Sequence, residues 1–400
     1  MASRSPNKVT LTACAALSNG LLVAIVTVGL AQAKVGQGDI TARRAIKVGE
    51  NPVSLAIDTQ AHRALVVNSN AEGAANGTVS LLDARSGEAL GQPIPIGRNP
   101  GAIAVDARTS RAFVTNALSD SVSVLDTRTG NVINRGMHVG KGPHAVVVDE
   151  LTGHVFVANA MGNSVTMLDA KSGQVLDRPA LVGHNPIALA VDARAGRVFV
   201  VNGNAESAGN GSVSVIDSKT GKTWGRSIIV GPYPVALAVD EHASRAIVVN
   251  NNSENAIAGS VTLLDTRSGR VISRLIPVGD SPSMVAVDGQ LGRAFVLNTN
   301  AETAVACTVS VLDMKEGKPL GHPISVGKGC RAVTVNDRTG QAFVANAISN
   351  TVSVIDTRTR RLLAPSVRVG LYPVAIAVDI GTSRTVVANY RDGTVSLLQP

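Results

Sequence analysis

The sequence predicts an all-β protein: a β-propeller of eight four-stranded blades, closed into a ring by an N-terminal strand that completes the last blade. Three observations support this prediction. A unit of 43 or 48 residues occurs eight times, each unit holds four short strand-like segments, and no helical periodicity follows residue 33. Four antiparallel strands at a period of this length are typical of propeller blades. A seven-bladed ring is the alternative, because a displaced terminal repeat would remove one blade.

Each unit is marked by a Gly that is followed 19 residues later by an Asn. The eight pairs are Gly49/Asn68, Gly97/Asn116, Gly140/Asn159, Gly183/Asn202, Gly231/Asn250, Gly279/Asn298, Gly327/Asn346 and Gly370/Asn389. The distance from the Asn to the Val of the following V-[ST]-x-[LI]-D segment is 6 or 11 residues, and the other spacings are constant. Fixed spacing with one variable loop indicates a single structural unit.

Within a unit, strands A to D follow in order and are separated by turns rich in Asp and Gly. In the second unit, strand A covers residues 102–105, strand B 113–116 and strand C 121–125. Ala alternates with larger residues in strand A, which fits an inner strand because blades crowd near the axis. The last unit lacks a strand D after residues 395–400, so we expect residues 42–48 to supply it and to remove the open sheet edge.

The N-terminal segment has the pattern of an export signal. Arg4 and Lys8 precede an apolar stretch that is densest over residues 21–30, and residues 31–33 match the small-x-small cleavage pattern. An uncleaved membrane anchor over residues 9–30 is the alternative.

The predicted organisation is a signal peptide at 1–33, a short linker at 34–41 and a β-propeller at 42–400. After cleavage no transmembrane domain would remain, and the mature protein would be a periplasmic or extracellular monomer.

Composition excludes several function classes. Only 9 residues are aromatic, which disfavours stacking platforms for sugars or bases. Three Cys and the absence of CxxC and HExxH patterns leave no common zinc signature, so we predict no metal and no cofactor. Without residues 1–33 the formal net charge is +6, well short of a nucleic-acid-binding stripe.

Strand B ends in a tetrapeptide that suggests a family. It is Phe113-Val114-Thr115-Asn116, Phe156-Val157-Ala158-Asn159, Phe199-Val200-Val201-Asn202, Ile247-Val248-Val249-Asn250 and Phe295-Val296-Leu297-Asn298 in five of the units. These units resemble the YVTN-repeat (YncE-like) β-propeller family of exported bacterial and archaeal proteins, over residues 42–400. The chain departs from it in having no Tyr at the first position and eight units where many relatives have seven. The resemblance implies an exported propeller and says little about chemistry, because propellers host many functions.

Blade geometry assigns each loop to one of two faces. The B–C hairpins and D–A links lie on one face, called here the top face, and the A–B and C–D turns lie on the opposite, bottom face. Four B–C hairpins carry insertions with an Asn-rich pattern that reaches a Glu, at 68–72, 202–206, 250–254 and 298–302. Their alternate oxygens suit a hard cation such as Ca²⁺, but one carboxylate per loop is few for that ion. We interpret these loops as Asx turns.

Two basic residues interrupt the positions that follow the link Pro at the top of the axis. His144 and Arg331 stand where most units have an apolar or small residue: Val53, Gly101, Ile187, Val235 and Val374. Basic groups at a concave mouth would bind an anion or a small polar ligand. The predicted ligand-binding residues are His144, Arg331, His184, Lys141 and Lys328.

Two cysteines break the repeat rules on the same face. Cys307 stands where other B–C turns have Gly, and Cys330 stands where the other links have Pro. In an exported protein this coincidence predicts a disulfide between Cys307 and Cys330.

The bottom face gathers basic residues that each have an Asp nearby in sequence. They are Arg85, Arg111, Arg128, Lys171, Arg197, Lys219, Arg245, Arg267, Arg293 and Arg358. We expect a solvated, salt-bridged face with at most a weak, salt-sensitive attraction to polyanions such as DNA.

These features favour a non-catalytic binding or scaffold propeller, whose partner is an unknown ligand or a component of the cell envelope. The alternative is a lactone hydrolase, because some similar propellers are lactonases. It would need His144 and Arg331 close together at the channel mouth, with a carboxylate such as Glu50 or Asp280. A haem-carrying propeller is disfavoured, since no CxxCH attachment motif occurs.

Overall fold

In the computed structural model, the chain forms eight antiparallel sheets around one axis. The structure describes residues 40–42, 45–70, 76–203, 210–251, 259–299, 306–363 and 365–399. Each inner strand lies beside the inner strands of the two neighbouring blades, and the first blade meets the eighth. The prediction of an eight-bladed β-propeller is confirmed, and the seven-bladed alternative is wrong.

The strands are numbered in chain order, and each blade runs from an inner strand A to an outer strand D. Two short strands, β1 (Thr41–Ala42) and β2 (Ile46–Lys47), precede the first blade. Blade 1 consists of β3 (Pro52–Asp58), β4 (Arg63–Asn68), β5 (Asn76–Asp83) and β6 (Ile94–Arg98), and blade 2 of β7 (Pro100–Asp106), β8 (Arg111–Asn116), β9 (Ser121–Asp126) and β10 (Val132–His138). Blade 3 consists of β11 (Pro143–Asp149), β12 (His154–Asn159), β13 (Ser164–Asp169) and β14 (Ala180–Leu181), and blade 4 of β15 (Pro186–Asp192), β16 (Arg197–Asn202), β17 (Asn210–Asp217) and β18 (Ile228–Pro232).

Blades 5 to 8 repeat this order, with the outer strand of blade 7 divided in two. Blade 5 consists of β19 (Pro234–Asp240), β20 (Arg245–Asn250), β21 (Ser260–Asp265) and β22 (Val271–Pro277), and blade 6 of β23 (Pro282–Asp288), β24 (Arg293–Asn298), β25 (Ala306–Asp313) and β26 (Ile324–Lys328). Blade 7 consists of β27 (Cys330–Asn336), β28 (Gln341–Asn346), β29 (Thr351–Asp356), β30 (Arg361–Leu362) and β31 (Val367–Arg368), and blade 8 includes β32 (Pro373–Asp379), β33 (Arg384–Asn389) and β34 (Thr394–Gln399).

The ring closes in blade 8, where β34 pairs with both N-terminal strands. β1 pairs with the end of β34 and β2 pairs with its beginning, in antiparallel register. The outer position of blade 8 is therefore filled by the segment predicted to fill it. Next to this joint, His62 Nδ1 of blade 1 lies 2.7 Å from the buried carboxylate of Asp379 in blade 8.

One side-chain amide explains the fixed Gly–Asn spacing. Asn159 Nδ2 donates to Ser164 Oγ at 3.1 Å and to Thr166 Oγ1 at 2.9 Å, and its Oδ1 accepts from the Gly140 N–H at 3.1 Å. A Cβ on Gly140 would lie 2.5 Å from the Asn159 side chain, so only Gly fits there. The equivalent Asn donates to a strand-C hydroxyl in every blade. In every blade a Cβ on this Gly would lie 2.5 or 2.6 Å from the Asn side chain, whereas the hydrogen bond to the Asn Oδ1 occurs in blade 3 alone among the described residues. The spacing thus records the close approach of the Asn amide to the Gly before the link.

Side chains of opposite size pack between neighbouring blades. Ala102 and Ala104 of blade 2 share one buried cluster with Val146 and Val148 of blade 3. The five Phe of the strand-B tetrapeptides are all buried: Phe113, Phe156, Phe199, Phe295 and Phe343. Small inner residues therefore let the blades approach, and large residues fill the wider space further out.

Loop hydrogen bonds define the two faces. The Ser69 N–H donates to the Asn51 carbonyl at 3.0 Å, which joins a B–C hairpin to a D–A link on the top face. The Ala84 N–H donates to the His62 carbonyl at 2.9 Å, which joins a C–D turn to an A–B turn on the bottom face.

Candidate functional site

The top face between blades 7 and 8 holds two arginines around one tyrosine. Arg331 is the second residue of β27, and its Nη2 donates to Tyr372 Oη at 3.0 Å. The Arg331 guanidinium carbon lies 5.8 Å from the centroid of the Tyr372 ring. The Arg391 guanidinium carbon lies 4.6 Å from the same centroid. We call Arg331, Tyr372 and Arg391 the Arg–Tyr–Arg cluster.

Backbone hydrogen bonds bring the link and the hairpin of blade 8 together. The Tyr390 N–H donates to the Tyr372 carbonyl at 2.9 Å, and the Arg391 N–H donates to the Leu371 carbonyl at 3.2 Å. Tyr372 has φ of 59°, in the left-handed region that the residue before each strand A adopts throughout the ring. The first contact has a counterpart in every blade and the second in blades 1 and 7, and together they place Arg391 beside Tyr372.

Neither arginine of this cluster has a carboxylate partner within the described ranges. The neighbouring carboxylate of Asp392 is engaged elsewhere, since Oδ2 accepts from the Leu371 N–H at 2.8 Å and Oδ1 accepts from Thr394 Oγ1 at 2.7 Å. Arg331 is half-buried, and its Nε has no hydrogen-bond partner in the described part of the chain. The cluster thus holds two positive charges without a compensating acid from these residues.

The other predicted ligand-binding residues lie around the axis rather than in this cluster. His144 belongs to blade 3 and Arg331 to blade 7, so three blades lie between them in either direction around the ring and they lie on opposite sides of the axis. Lys328 is an exposed residue of the link that leads to Arg331. Lys141 is an exposed residue of the link that leads to His144, and His184 Nδ1 lies 3.3 Å from Asn163 Nδ2.

His144 is half-buried at the top of its blade. Its Nε2 is buried and has no hydrogen-bond partner among the residues described. Burial lowers the pKa of His144, so its imidazole is neutral at pH 7. A neutral imidazole can donate one hydrogen bond and accept another, but it does not attract an anion by charge.

The residues of the lactonase alternative form no contact with one another in the part of the chain that the structure describes. Glu50 and Asp280 are exposed residues of the links to blades 1 and 6. Neither makes an ion pair with His144 or Arg331 there. Their catalytic role stays a prediction.

The Asn-rich loops lie largely outside the described residues, which omit 71–75, 204–209, 252–258 and 300–305. Their interpretation as Asx turns therefore stays a prediction. Within the described ranges no group of three or more His, Cys, Asp or Glu is arranged to hold a metal ion. Those ranges also contain no helix that is long and apolar enough to cross a membrane.

The predicted disulfide between Cys307 and Cys330 is present, and it joins strand C of blade 6 to the first residue of β27. Both half-cystines are buried. In blade 1 a Cβ on Gly77 would lie 2.2 Å from Pro100 Cγ, so Gly and Pro fill the equivalent space there. The disulfide replaces that Gly–Pro contact and ends directly before Arg331.

Four of the six arginines that begin strand B on the bottom face are paired with acids, whereas Arg293 donates to the carbonyl oxygens of Thr357 and Arg358 instead. The pairs are Arg63–Asp83 at 2.6 Å, Arg111–Asp126 at 2.8 Å, Arg197–Asp217 at 2.8 Å and Arg245–Asp265 at 2.9 Å. Partial burial raises the pKa of Asp217, but the N–H groups of Thr220 and Lys219, the Thr220 hydroxyl and the Arg197 charge together hold it below the usual value. Of the ten basic residues predicted for this face, Arg111, Arg197 and Arg245 form ion pairs within the described ranges, so the prediction of a salt-bridged face holds for part of it.

One bottom-face acid is buried between blades 4 and 5. Glu241 is 2% exposed, and its Oε1 accepts from the Ala193 N–H at 2.9 Å. Its Oε2 lies 3.9 Å from Arg194 Nε, too far for a hydrogen bond. Burial raises the pKa of Glu241 to about 7, and repulsion from Asp192 and Asp149 adds to this.

The repeats match a known family of propellers. The sequence model of the YNCE-like beta-propeller family matches residues 66–380. The chain belongs to the YNCE-like β-propeller family. The resemblance inferred from the strand-B tetrapeptides is confirmed. In this YNCE-like propeller the matched region includes Arg331 and Tyr372 and stops before Arg391.

A solved structure shares the fold of this YNCE-like propeller. The hydrazine synthase of Kuenenia stuttgartiensis matches it with a TM-score of 0.58 and 19% sequence identity, over 74% of this chain and 94% of that one. Identity this low shows the fold alone. No curated protein matches the chain.

Sequence reasoning missed Tyr372 and Arg391 as site residues of the YNCE-like propeller. A signal existed, because Tyr390-Arg391 stands where the other short hairpins have Ala117-Leu118, Ala160-Met161 and Ala347-Ile348. All three tyrosines of the chain, Tyr233, Tyr372 and Tyr390, lie in top-face loops. The count of only nine aromatic residues did not reveal that all three tyrosines lie on one face.

Proposed function

We propose that this protein is a non-catalytic binding propeller that holds a small anionic ligand on its top face, beside Arg331. One observation supports this above the others: a half-buried guanidinium occupies a position that is apolar or Gly in most blades, and no described carboxylate neutralises it. Partial burial of an uncompensated charge costs free energy. An anionic ligand would remove that cost.

The chemistry of the arginine suits this role. A guanidinium donates in a planar fork that matches a carboxylate or a phosphate. The hydrogen bond from Nη2 to Tyr372 Oη limits the rotation of the Arg331 side chain and so prepares it for one ligand orientation.

The setting of the protein is part of the proposal. The N-terminal pattern of residues 1–33 supports export to the periplasm or the cell exterior, where a disulfide forms readily. The partner would then be a small anion of that compartment or an acidic component of the cell envelope.

Calorimetric titration of the purified protein with acetate, malonate and inorganic phosphate tests the proposal. The variant Arg331→Val carries the residue of three other blades, so it should keep the fold and lose at least tenfold in affinity for every anion that binds. Arg85→Ala, which removes the same charge from the bottom face, is the matched control and should bind as the wild type does. Equal affinities in wild type and Arg331→Val would overturn the proposal.

Sugar-lactone turnover provides the test of the lactonase alternative. Hydrolysis by the wild type that is abolished in His144→Ala would favour an enzyme over a binding protein.

A further inference from the structure

Resting on the proposed function, we infer that the ligand is a dianion and that blade 8 supplies half of its site through Tyr372 and Arg391. The class is a compact molecule with two negative charges, as in a phosphate monoester or a short dicarboxylate. The inference depends on the charge balance and the geometry of the Arg–Tyr–Arg cluster.

The first argument is the proximity of two like charges. The guanidinium carbons of Arg331 and Arg391 lie 5.8 and 4.6 Å from one ring centroid, so they are within about 10 Å of each other. The face of a tyrosine ring attracts a cation, but a single ring offers only partial compensation to two. The remaining repulsion favours a bound partner that carries more than one negative charge.

The second argument is that Asp392, the acid next to Arg391 in the sequence, is committed to hydrogen bonds. Both carboxylate oxygens of Asp392 accept hydrogen bonds from Leu371 and Thr394, and Asp392 makes no ion pair within the described residues. Lys328 adds an exposed positive group three residues before Arg331. A monoanion can match only one of the two guanidinium groups, whereas a dianion offers one negative charge to each.

The third argument concerns how the two arginines differ. Arg331 is half-buried and fixed by Tyr372 Oη, whereas Arg391 is exposed at the tip of a hairpin. Arg331 therefore provides an oriented fork for one charged group, and Arg391 can close over the second. This division assigns general anion affinity to Arg331 and selectivity for a second charge to Arg391.

The repeats supply matched variants for the test. Ile348 occupies the position of Arg391 in blade 7, so Arg391→Ile restores a residue that this turn already accommodates. Tyr372→Phe keeps the ring and removes the hydroxyl that orients Arg331. Circular dichroism and the thermal midpoint establish that each variant is folded before binding is measured.

The experiment is calorimetric titration at pH 8 with two pairs of anions: malonate against acetate, and inorganic phosphate against dimethyl phosphate. The wild type should prefer the dianion of at least one pair by tenfold or more, and the pair that shows the preference identifies carboxylate or phosphate chemistry. Arg391→Ile should reduce this preference to less than threefold while monoanion affinity changes little. Arg331→Val should weaken all four anions, and Arg85→Ala should change none.

Three outcomes would overturn the inference, and they differ in what they say about the proposed function. A dianion preference that persists in Arg391→Ile would remove Arg391 from the site and leave the proposed function intact. Equal affinity of the wild type for monoanions and dianions would overturn the dianion assignment and leave the proposed function intact. Binding of none of the four anions would overturn both. If Arg391→Ile does not fold, Arg391→Lys, which keeps one charge without the planar fork, should show an intermediate preference.

Discussion

The arginines of the two faces have different surroundings. On the bottom face, Arg197 begins a strand B and forms an ion pair with Asp217 at 2.8 Å, and blades 1, 2 and 5 repeat this pair. On the top face, Arg331 and Arg391 share the ring of Tyr372 and have no acid partner within the described ranges.

The difference separates charges that belong to the fold from charges that await a partner. The bottom pairs occur where strand B meets the end of strand C, so the register of the blade itself brings acid and base together. The top cluster occurs where two neighbouring repeats each depart from their own pattern. An arginine to which the repeat supplies no acid partner is therefore a stronger indication of a binding site than an arginine in an ion pair.

The largest expected effect on stability concerns the disulfide directly before Arg331. Cys307→Ser with Cys330→Ser should lower the free energy of unfolding by about 3 kcal/mol, because a cross-link restricts the unfolded chain. The control is Cys307→Gly with Cys330→Pro, which restores the contact of the other blades and should recover part of the loss. Urea unfolding with and without reductant measures both. If reductant exposes two titratable thiols in the wild type but leaves its free energy of unfolding unchanged, this prediction is wrong.

The next effect concerns Glu241, the buried acid whose nearest cation is too far to pair well. Its pKa is raised to about 7, so the folded protein holds a proton that the unfolded chain releases above about pH 4.5. The free energy of unfolding should therefore fall as the pH rises from about 4.5 to 7, by on the order of 2 kcal/mol. Glu241→Gln should flatten this dependence in urea unfolding at pH 5 and 7.5. Glu150→Gln, at the equivalent position of blade 3, is the control, and a slope that survives Glu241→Gln would refute the assignment.

A smaller effect is expected from removing a paired arginine. Arg197→Gln introduces the residue that begins strand B of blade 7 and should cost about 1 kcal/mol, because Asp217 loses its ion pair and Trp224 loses the guanidinium 4.5 Å from its ring. The loss should shrink in high salt, since screening already weakens the pair. Anion binding on the top face should be unchanged. If Arg197→Gln lost it, the separation between bottom-face arginines that stabilise the fold and top-face arginines that bind would be wrong.

The smallest effect on stability is expected from the unpaired arginine. Arg331→Val should change the free energy of unfolding by less than about 0.5 kcal/mol, because no described ion pair is lost and an apolar residue suits this position in other blades. Thermal unfolding without ligand measures it. A loss well above 1 kcal/mol would show that Arg331 is part of the fold rather than of a binding site.

The fold was predictable from sequence because one contact recurs at a constant spacing. Gly140 and Asn159 show how: the amide of Asn159 needs the space that only Gly leaves. The disulfide was predictable because both cysteines stand where one repeat rule fails. The position of His144 relative to Arg331 was also within reach of the sequence, since units three and seven of eight lie opposite each other.

The binding cluster was only half predictable. Arg331 interrupts an apolar column and was found, whereas Tyr372 lies 41 residues further along the chain and meets it through its hydroxyl and the face of its ring. The reach of Arg391 to that ring depends on a flexible side chain at a hairpin tip. Likewise, nothing in the sequence gives the pKa of Glu241, because it depends on how closely blades 4 and 5 pack.

The joint in blade 8 has a consequence for the order in which the molecule is made. β1 and β2 are synthesised before any blade, but their partner β34 follows the rest of the repeats. Until β34 is available, the growing chain is an open fan whose earliest strands have no place to dock. The first strands to be made are therefore among the last to be placed, and the eight blades become a ring in one late event.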